Sequence, residues 1–98
     1  MNCKLEIMNG AQSGEKFSID EFPLSIGRSD GNNIQIMDDQ MVSRIHCTIY
    51  LGDDDSLHLS DLNSTNGTYV NSKILTSPVL LKSSDKIMLG NTILNFKK

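Results

Sequence analysis

Aromatic residues are scarce in this chain. Its 98 residues include no tryptophan, two tyrosines and three phenylalanines. We therefore expect aliphatic side chains to build the hydrophobic core. The length allows one such core and leaves no room for a second, so residues 1–98 are predicted to form a single domain.

The chain also lacks an excess of basic residues and lacks long apolar runs. Nine lysines and arginines are outnumbered by twelve aspartates and glutamates, and the formal net charge is −3. Because no basic field would attract a phosphate backbone, we expect no general binding to nucleic acid. No apolar run approaches the roughly 18 residues of a membrane span, and the N-terminus carries no apolar segment of a signal peptide. We therefore expect a cytoplasmic domain that does not bind a membrane.

The motifs of common catalytic sites are missing. Ser43 and His46 could be a nucleophile and a base, but no glycine-flanked elbow surrounds the serine. Their spacing across a loop-to-strand junction does not indicate a catalytic triad either. No glycine-rich loop ends in Gly-Lys-Ser or Gly-Lys-Thr, so the phosphate-binding loop of nucleotide hydrolases is excluded. We expect no enzymatic activity.

Metal-binding motifs are missing as well. Cys3, His46, Cys47 and His58 do not have the spacing of a zinc site. A calcium loop that starts at Asp61 fails because its glycine comes one place late and no glutamate closes it. We therefore expect no metal and no cofactor. In a reducing cytoplasm both cysteines are expected to be free thiols.

Short runs of alternating apolar residues make up most of the chain. The runs cover residues 3–7, 17–19, 24–26, 34–36, 45–51, 57–59, 69–70, 79–81, 87–89 and 94–96. Alternation with period two, interrupted by turn residues, is typical of an antiparallel sandwich or barrel. No stretch keeps a helical apolar period over ten residues. The sequence predicts an all-β fold.

Three polar clusters lie between these runs, and each has a simple structural explanation by itself. The Gly-Arg pair at 27–28 fits a bend beside a solvated charge, and Ser43 fits a residue that caps or closes a loop. The Asn-Gly pair at 66–67 fits a two-residue hairpin turn, because both positions accept positive φ.

Considered together, the clusters contain the groups that bind an oxyanion on a peptide. Arg28 offers paired N–H donors to phosphate oxygens, and the hydroxyls of Ser43 and Thr65 can add charge-assisted hydrogen bonds. Arg44 supplies a second cation. The side chain of Asn66 both donates and accepts, which suits contact with the main chain of an extended peptide.

The order and spacing of these clusters resemble those of the forkhead-associated (FHA) domain. The similarity runs from about residue 24 to residue 96, and "DLNSTNGTYVN" is its most specific stretch. The resemblance implies an antiparallel sandwich of eleven strands whose loops at one end bind phosphothreonine peptides. It also implies a non-catalytic module, monomeric as an isolated domain, that binds partner proteins phosphorylated by a Ser/Thr kinase in signalling.

The resemblance implies a role for each polar residue of the site. Arg28 would contact the phosphate and Ser43 would form a hydrogen bond to it, while Arg44 occupies a position that varies in the family. Thr65 would help to position the phosphate. Asn66 would bind the peptide main chain beside the phosphothreonine.

Three further residues are implied to shape the loops. His46 would brace the loop that carries the site serine, and Gly27 and Gly67 would serve backbone geometry. Met41 lies in the loop that often reads the residue three places after the phosphothreonine, and its apolar side chain leaves acidic selectivity open. The alternative hypothesis is an FHA-like assembly domain that binds a fixed partner through a sheet face without phosphate.

Overall fold

The computed structural model describes residues 3–98, and the domain start predicted at Met1 lies outside this range. The described residues form eleven β-strands. The strands are β1 (Cys3–Ile7), β2 (Lys16–Ile19), β3 (Leu24–Gly27), β4 (Ile34–Gln35), β5 (Cys47–Leu51), β6 (Leu57–Asp61), β7 (Thr68–Val70), β8 (Lys73–Ile74), β9 (Val79–Leu80), β10 (Lys86–Leu89) and β11 (Thr92–Lys97). Within residues 3–98, no helix has the length and the apolar composition that a membrane span requires.

The strands form two sheets that pack as a sandwich. The six-stranded sheet has the order β2-β1-β11-β10-β7-β8, and the five-stranded sheet has the order β4-β3-β5-β6-β9. The predicted all-β sandwich of eleven strands is confirmed. One pair departs from antiparallel pairing, because β3 and β4 are parallel with Ile26 opposite Ile34. Alternation could not reveal this pair, since the side-chain period is two in both kinds of ladder.

The core is aliphatic, as the scarcity of aromatic residues predicts. Phe96 is its one fully buried aromatic side chain among the described residues, and isoleucines and leucines supply most of the rest. Cys3 and Cys47 are free thiols inside this core. Burial, together with the nearby charge of Asp61, raises the pKa of Cys47 to about 12 and keeps it protonated.

The predicted run at residues 45–51 was wrong at its start. Strand β5 begins at Cys47, and Ile45 before it is 56% exposed. The chain bends at Arg44 and Ile45, and the buried His46 that follows donates its amide to the carbonyl oxygen of Ile26. Strand β8 was not predicted, because both of its residues are exposed and it has no buried face to give an apolar alternation.

The Asn-Gly pair at 66–67 does not form a hairpin turn. Residues 62–67 connect β6 of the five-stranded sheet to β7 of the six-stranded sheet, so they cross between the layers. The hairpin turn that follows β7 lies at Asn71 and Ser72, whose φ angles are 50° and 71°. The polar stretch around Thr65 is therefore a crossing loop.

Candidate functional site

Three loops meet around Ser43. They are the 28–33 loop after β3, the 36–46 loop between β4 and β5, and the 62–67 loop between β6 and β7. The amide of Arg28 donates to the Ser43 carbonyl oxygen at 3.0 Å. The amide of Thr65 donates to the Ser43 hydroxyl oxygen, also at 3.0 Å. The structure thus brings together residues that lie 15 to 22 positions apart in the chain.

Two further hydrogen bonds fix Arg28, one made by its main chain and one made by its side chain. Its Nε donates to the carbonyl oxygen of Val42 at 2.9 Å, and its carbonyl oxygen accepts from the Gln35 side chain at 3.2 Å. Among residues 3–98 no acceptor or carboxylate binds its two terminal nitrogens. Their N–H groups remain as a planar pair of donors, the arrangement that fits phosphate oxygens.

The hydrogen bonds of Ser43 direct its hydroxyl. Its amide donates to Nδ1 of His46 at 3.0 Å, and its hydroxyl oxygen accepts from the Thr65 amide. Because one lone pair of the oxygen is occupied, the hydroxyl hydrogen is the group left for a ligand. Ser43 is therefore suited to donate a hydrogen bond to an anion.

Asn66 links the 62–67 loop to the 36–46 loop. Its side-chain nitrogen donates to the carbonyl oxygen of Met41 at 2.9 Å. The residue is exposed, and within the described part of the chain its amide oxygen accepts no hydrogen bond. This oxygen can accept an N–H from a peptide main chain. Thr65 beside it is exposed as well.

His46 is fully buried beneath these loops. Its Nδ1 accepts from the Ser43 amide, so the ring proton lies on Nε2, which donates to the carbonyl oxygen of Gly67 at 2.8 Å. Both ring nitrogens are thereby occupied. Because neither nitrogen faces the serine hydroxyl, His46 does not act as a base toward Ser43 in this arrangement.

Gly27 stands where a side chain has no room, and Gly67 where the main chain adopts a positive φ. A Cβ on Gly27 would collide with the carbonyl oxygen of Arg44, which also accepts from the Ser29 amide at 3.1 Å. Gly67 has a φ of 84°, and a Cβ there would lie 2.8 Å from Cδ1 of Ile74. Through its carbonyl oxygen, Arg44 joins the 36–46 loop to the 28–33 loop. Its side chain is exposed.

Asp61 is a loop anchor that the sequence analysis missed. Its carboxylate accepts from the Ser64 amide at 3.0 Å, the Ser64 hydroxyl at 2.6 Å and the Thr68 hydroxyl at 2.7 Å. The Ser64 hydroxyl in turn accepts from the Gly67 amide at 2.9 Å. Burial raises the pKa of Asp61, but these hydrogen bonds outweigh it and the net pKa is lowered. The Asp-x-x-Ser spacing is a turn signal that could have revealed this anchor.

Asp39 is a second missed anchor, and it acts over a long sequence distance. Its carboxylate accepts from the Met41 amide at 3.1 Å, the Asn91 amide at 2.8 Å and the Thr92 hydroxyl at 2.7 Å. Burial raises its pKa, and the hydrogen bonds more than compensate, so the pKa is lowered. A Cβ on Gly90 would lie 2.9 Å from this carboxylate. No local signal indicates the two partners that lie more than 50 positions away, Asn91 and Thr92.

The site as a whole is a set of hydrogen-bond donors for an anion beside groups for a peptide main chain. Within residues 3–98 no three His, Cys, Asp or Glu side chains are grouped so that they could hold a metal ion. The chemistry that the arrangement supports is binding.

Comparison with known proteins agrees with this geometry. The sequence profile of the FHA domain matches residues 24–90. The chain belongs to the FHA domain family. This FHA domain is 34% identical over 92 residues to the glycogen accumulation regulator GarA of Mycobacterium tuberculosis, and covers 55% of that protein. It is 35% identical over 92 residues to the oxoglutarate dehydrogenase inhibitor of Corynebacterium diphtheriae, and covers 62% of it. Each of these alignments spans 94% of the present chain.

A solved FHA domain has the same architecture. It was determined in a study of phosphothreonine-dependent FHA domain interactions, and it superimposes with a TM-score of 0.88 at 31% identity. The match covers 100% of this chain and 97% of that one. The chain thus covers nearly all of that solved FHA domain, but little more than half the length of the curated relatives.

Proposed function

We propose that this FHA domain binds phosphothreonine in partner proteins and that it is a non-catalytic module for phosphorylation-dependent interaction. The observation that carries the proposal is the link from the Thr65 amide to the Ser43 hydroxyl oxygen. This bond joins the loop that presents Thr65 and Asn66 to the loop that lies against Arg28. A phosphorylated residue can then reach a guanidinium and a hydroxyl donor with its phosphate, and an amide side chain with its main chain.

The proposed roles follow the contacts of each residue. The free guanidinium nitrogens of Arg28 bind two phosphate oxygens, and the Ser43 hydroxyl donates to one of them. Thr65 positions the phosphate, and the Asn66 amide oxygen accepts from the peptide main chain. Arg44, whose side chain is exposed, adds a second positive charge.

The loop residues have a separate proposed role. His46 and Gly67 keep the two loops at a fixed distance, and Gly27 admits the main chain of Arg44.

The partner is the product of a Ser/Thr kinase, and the isolated domain acts as a cytoplasmic monomer. The similarity to a regulator and to an enzyme inhibitor supports a regulatory role for the protein that contains this domain.

Titration calorimetry with matched peptides tests the proposal. An oriented library of phosphothreonine peptides identifies a preferred sequence, and the selected peptide is then compared with its unphosphorylated form. We expect binding that requires the phosphate. Equal binding of both forms would refute the proposal, and it would favour the assembly domain that uses a sheet face. An accompanying assay tests for hydrolysis. We expect ester and phosphoester substrates to remain unchanged after incubation with the domain.

A further inference from the structure

A row of apolar side chains crosses the outer face of the six-stranded sheet. The strand register places Met88 between Ile93 and Tyr69. Tyr69 in turn lies opposite Ile74. The amide of Met8, just past β1, donates to the carbonyl oxygen of Ile93 at 2.8 Å, which sets Met8 opposite Ile93. Because directly paired residues share one face of a sheet, these five side chains form one apolar stripe.

The apolar stripe faces solvent. Met8 is 43% exposed and Ile74 is 53% exposed at its two ends, and the three residues between them are half-buried. Cross-strand apolar pairs stabilise a sheet without any cover. The stripe continues over five neighbouring strands, and exposed apolar patches with a polar rim mark interaction sites.

Four other outward positions of this face are lysines. Lys4, Lys16, Lys86 and Lys97 stand at exposed, outward positions of the same sheet. Among its described strands Glu6 is the one acidic residue that points outward. The face is therefore positive although the whole chain has a net charge of −3. A partner that fits it combines apolar side chains with acidic ones.

One end of the apolar stripe reaches the 62–67 loop. A methyl group built on Gly67 would lie 2.8 Å from Cδ1 of Ile74 and 3.8 Å from Cε1 of Tyr69. Gly67 directly follows Asn66, the residue proposed to hold the peptide main chain. A partner chain bound at this loop can continue onto the apolar stripe after a short connection.

The dimensions of the apolar stripe favour a helix. Neighbouring strands lie about 4.8 Å apart, so five strands extend over about 19 Å. An α-helix repeats one face every 5.4 Å or so, and about 13 residues cover this length. We propose that the apolar stripe binds an amphipathic helix with acidic flanks in the same partner protein that carries the phosphothreonine. This inference rests on the proposed function, because binding of the phosphothreonine brings the helix of the same partner close to the apolar stripe.

Synthetic peptides test the inference by titration calorimetry. The reference probe is the library-selected phosphothreonine peptide. Two extended probes add a short Gly-Ser linker and a helix of about 14 residues, with leucines on one face and glutamates elsewhere, at the N-terminal or the C-terminal end. We expect one of the extended probes to bind at least roughly tenfold more tightly than the reference. A helix with lysine in place of glutamate should add nothing.

Substitutions on the sheet show where the helix binds. Met88→Lys in the middle of the apolar stripe, or Met8→Lys at its exposed end, should abolish the gain and leave the reference peptide unaffected. Leu80→Lys is the matched control, because Leu80 is 47% exposed but lies on the five-stranded sheet. Amide NMR spectra confirm that each variant is folded.

The outcomes separate the two proposals. No gain with either extended probe, or a gain that survives both Met88→Lys and Met8→Lys, would overturn the inference about the apolar stripe. A reference peptide that binds equally with and without phosphate would instead refute the proposed function. A gain lost in Leu80→Lys alone would assign the helix to the opposite sheet and reject the apolar stripe.

Discussion

Nε2 of the buried His46 lies 2.8 Å from the carbonyl oxygen of Gly67. On the opposite side of the ring, Nδ1 accepts from the Ser43 amide at 3.0 Å. One side chain thus joins the 36–46 loop to the 62–67 loop. The distance between the groups proposed to contact the phosphate depends on this ring.

Replacement of His46 by alanine should therefore destabilise the domain first and weaken binding as a consequence. The partly buried Ser43 amide and Gly67 carbonyl would lose their partners, at a cost of about 1–3 kcal/mol each. For a domain of this size we expect the melting temperature to fall by roughly 10 °C or more. Circular dichroism measures the unfolding, and titration well below the transition measures the binding.

His58→Ala is the control for this substitution. His58 stacks on Tyr50 with a ring-centroid distance of 5.5 Å, and its Nδ1 has no hydrogen-bond partner among the described residues. Its loss should cost less stability and leave binding intact. Normal stability of His46→Ala with lost binding would mean that His46 contacts the ligand directly.

Arg28 should be the most sensitive position for binding. A hydrogen bond between charged groups is worth about 1.5–3 kcal/mol, so Arg28→Ala should weaken phosphopeptide binding by roughly ten- to a hundredfold or more. Arg28→Lys should restore only part of it, because one ammonium group cannot bond the Val42 carbonyl and present a planar pair of donors together. An Arg28→Ala variant that is folded and binds like the wild type would remove Arg28 from the site.

The domain should lose stability in acid through Asp39 and Asp61. Both pKa values are lowered in the folded state, whereas an unfolded aspartate titrates near about 3.9. The unfolded chain then binds more protons, so this stabilisation is complete above roughly pH 5 and is lost as the pH falls through the folded pKa. Urea unfolding at a series of pH values measures the effect.

Asparagine variants identify the groups responsible for the loss of stability in acid. Asp61→Asn and Asp39→Asn should be less stable at neutral pH, and their stability should change less in acid because an amide takes up no proton there. Asp53→Asn, at the exposed tip of the β5–β6 hairpin, should follow the wild type. If both anchor variants kept the full acid dependence, other groups would have to cause it.

Binding should follow the charge of the phosphate between pH 7 and pH 5, where the stabilisation by Asp39 and Asp61 is still complete. The second pKa of phosphothreonine lies near about 6, so the dianion gives way to the monoanion over this range. We expect the affinity to fall with pH and to weaken moderately with added salt. An affinity that is constant across the range would show that the phosphate is not the main anchor.

The domain should prefer phosphothreonine to phosphoserine. Arg28 and Ser43 can make the same phosphate contacts with either ligand, so the methyl group alone distinguishes them. Discrimination by one group of this size is worth about 1–3 kcal/mol, and the branched side chain also loses less rotamer freedom. We expect a preference of roughly ten- to a hundredfold in paired titrations. Equal affinities would show that the site reads only the phosphate.

The sequence by itself determined where most of the strands lie and which residues are proposed for the site. A strand with one buried face shows its period within a few residues, so Leu5 and Ile7, or Leu57 and Leu59, reveal it without any partner. A guanidinium or a hydroxyl brings its hydrogen-bonding capacity to any fold. The residues proposed for the site were therefore identifiable in advance.

Only the tertiary structure decided which segments pair and which groups meet. The partners of Asp39 lie at Asn91 and Thr92, and the apolar stripe unites residues from Met8 to Ile93. Alternation says which way a side chain points but not which strand lies beside it, because cross-strand register arises from the packing of the whole sandwich. A long-range anchor such as Asp39 and an outer-face patch depend on that register, so a single sequence does not contain them in readable form.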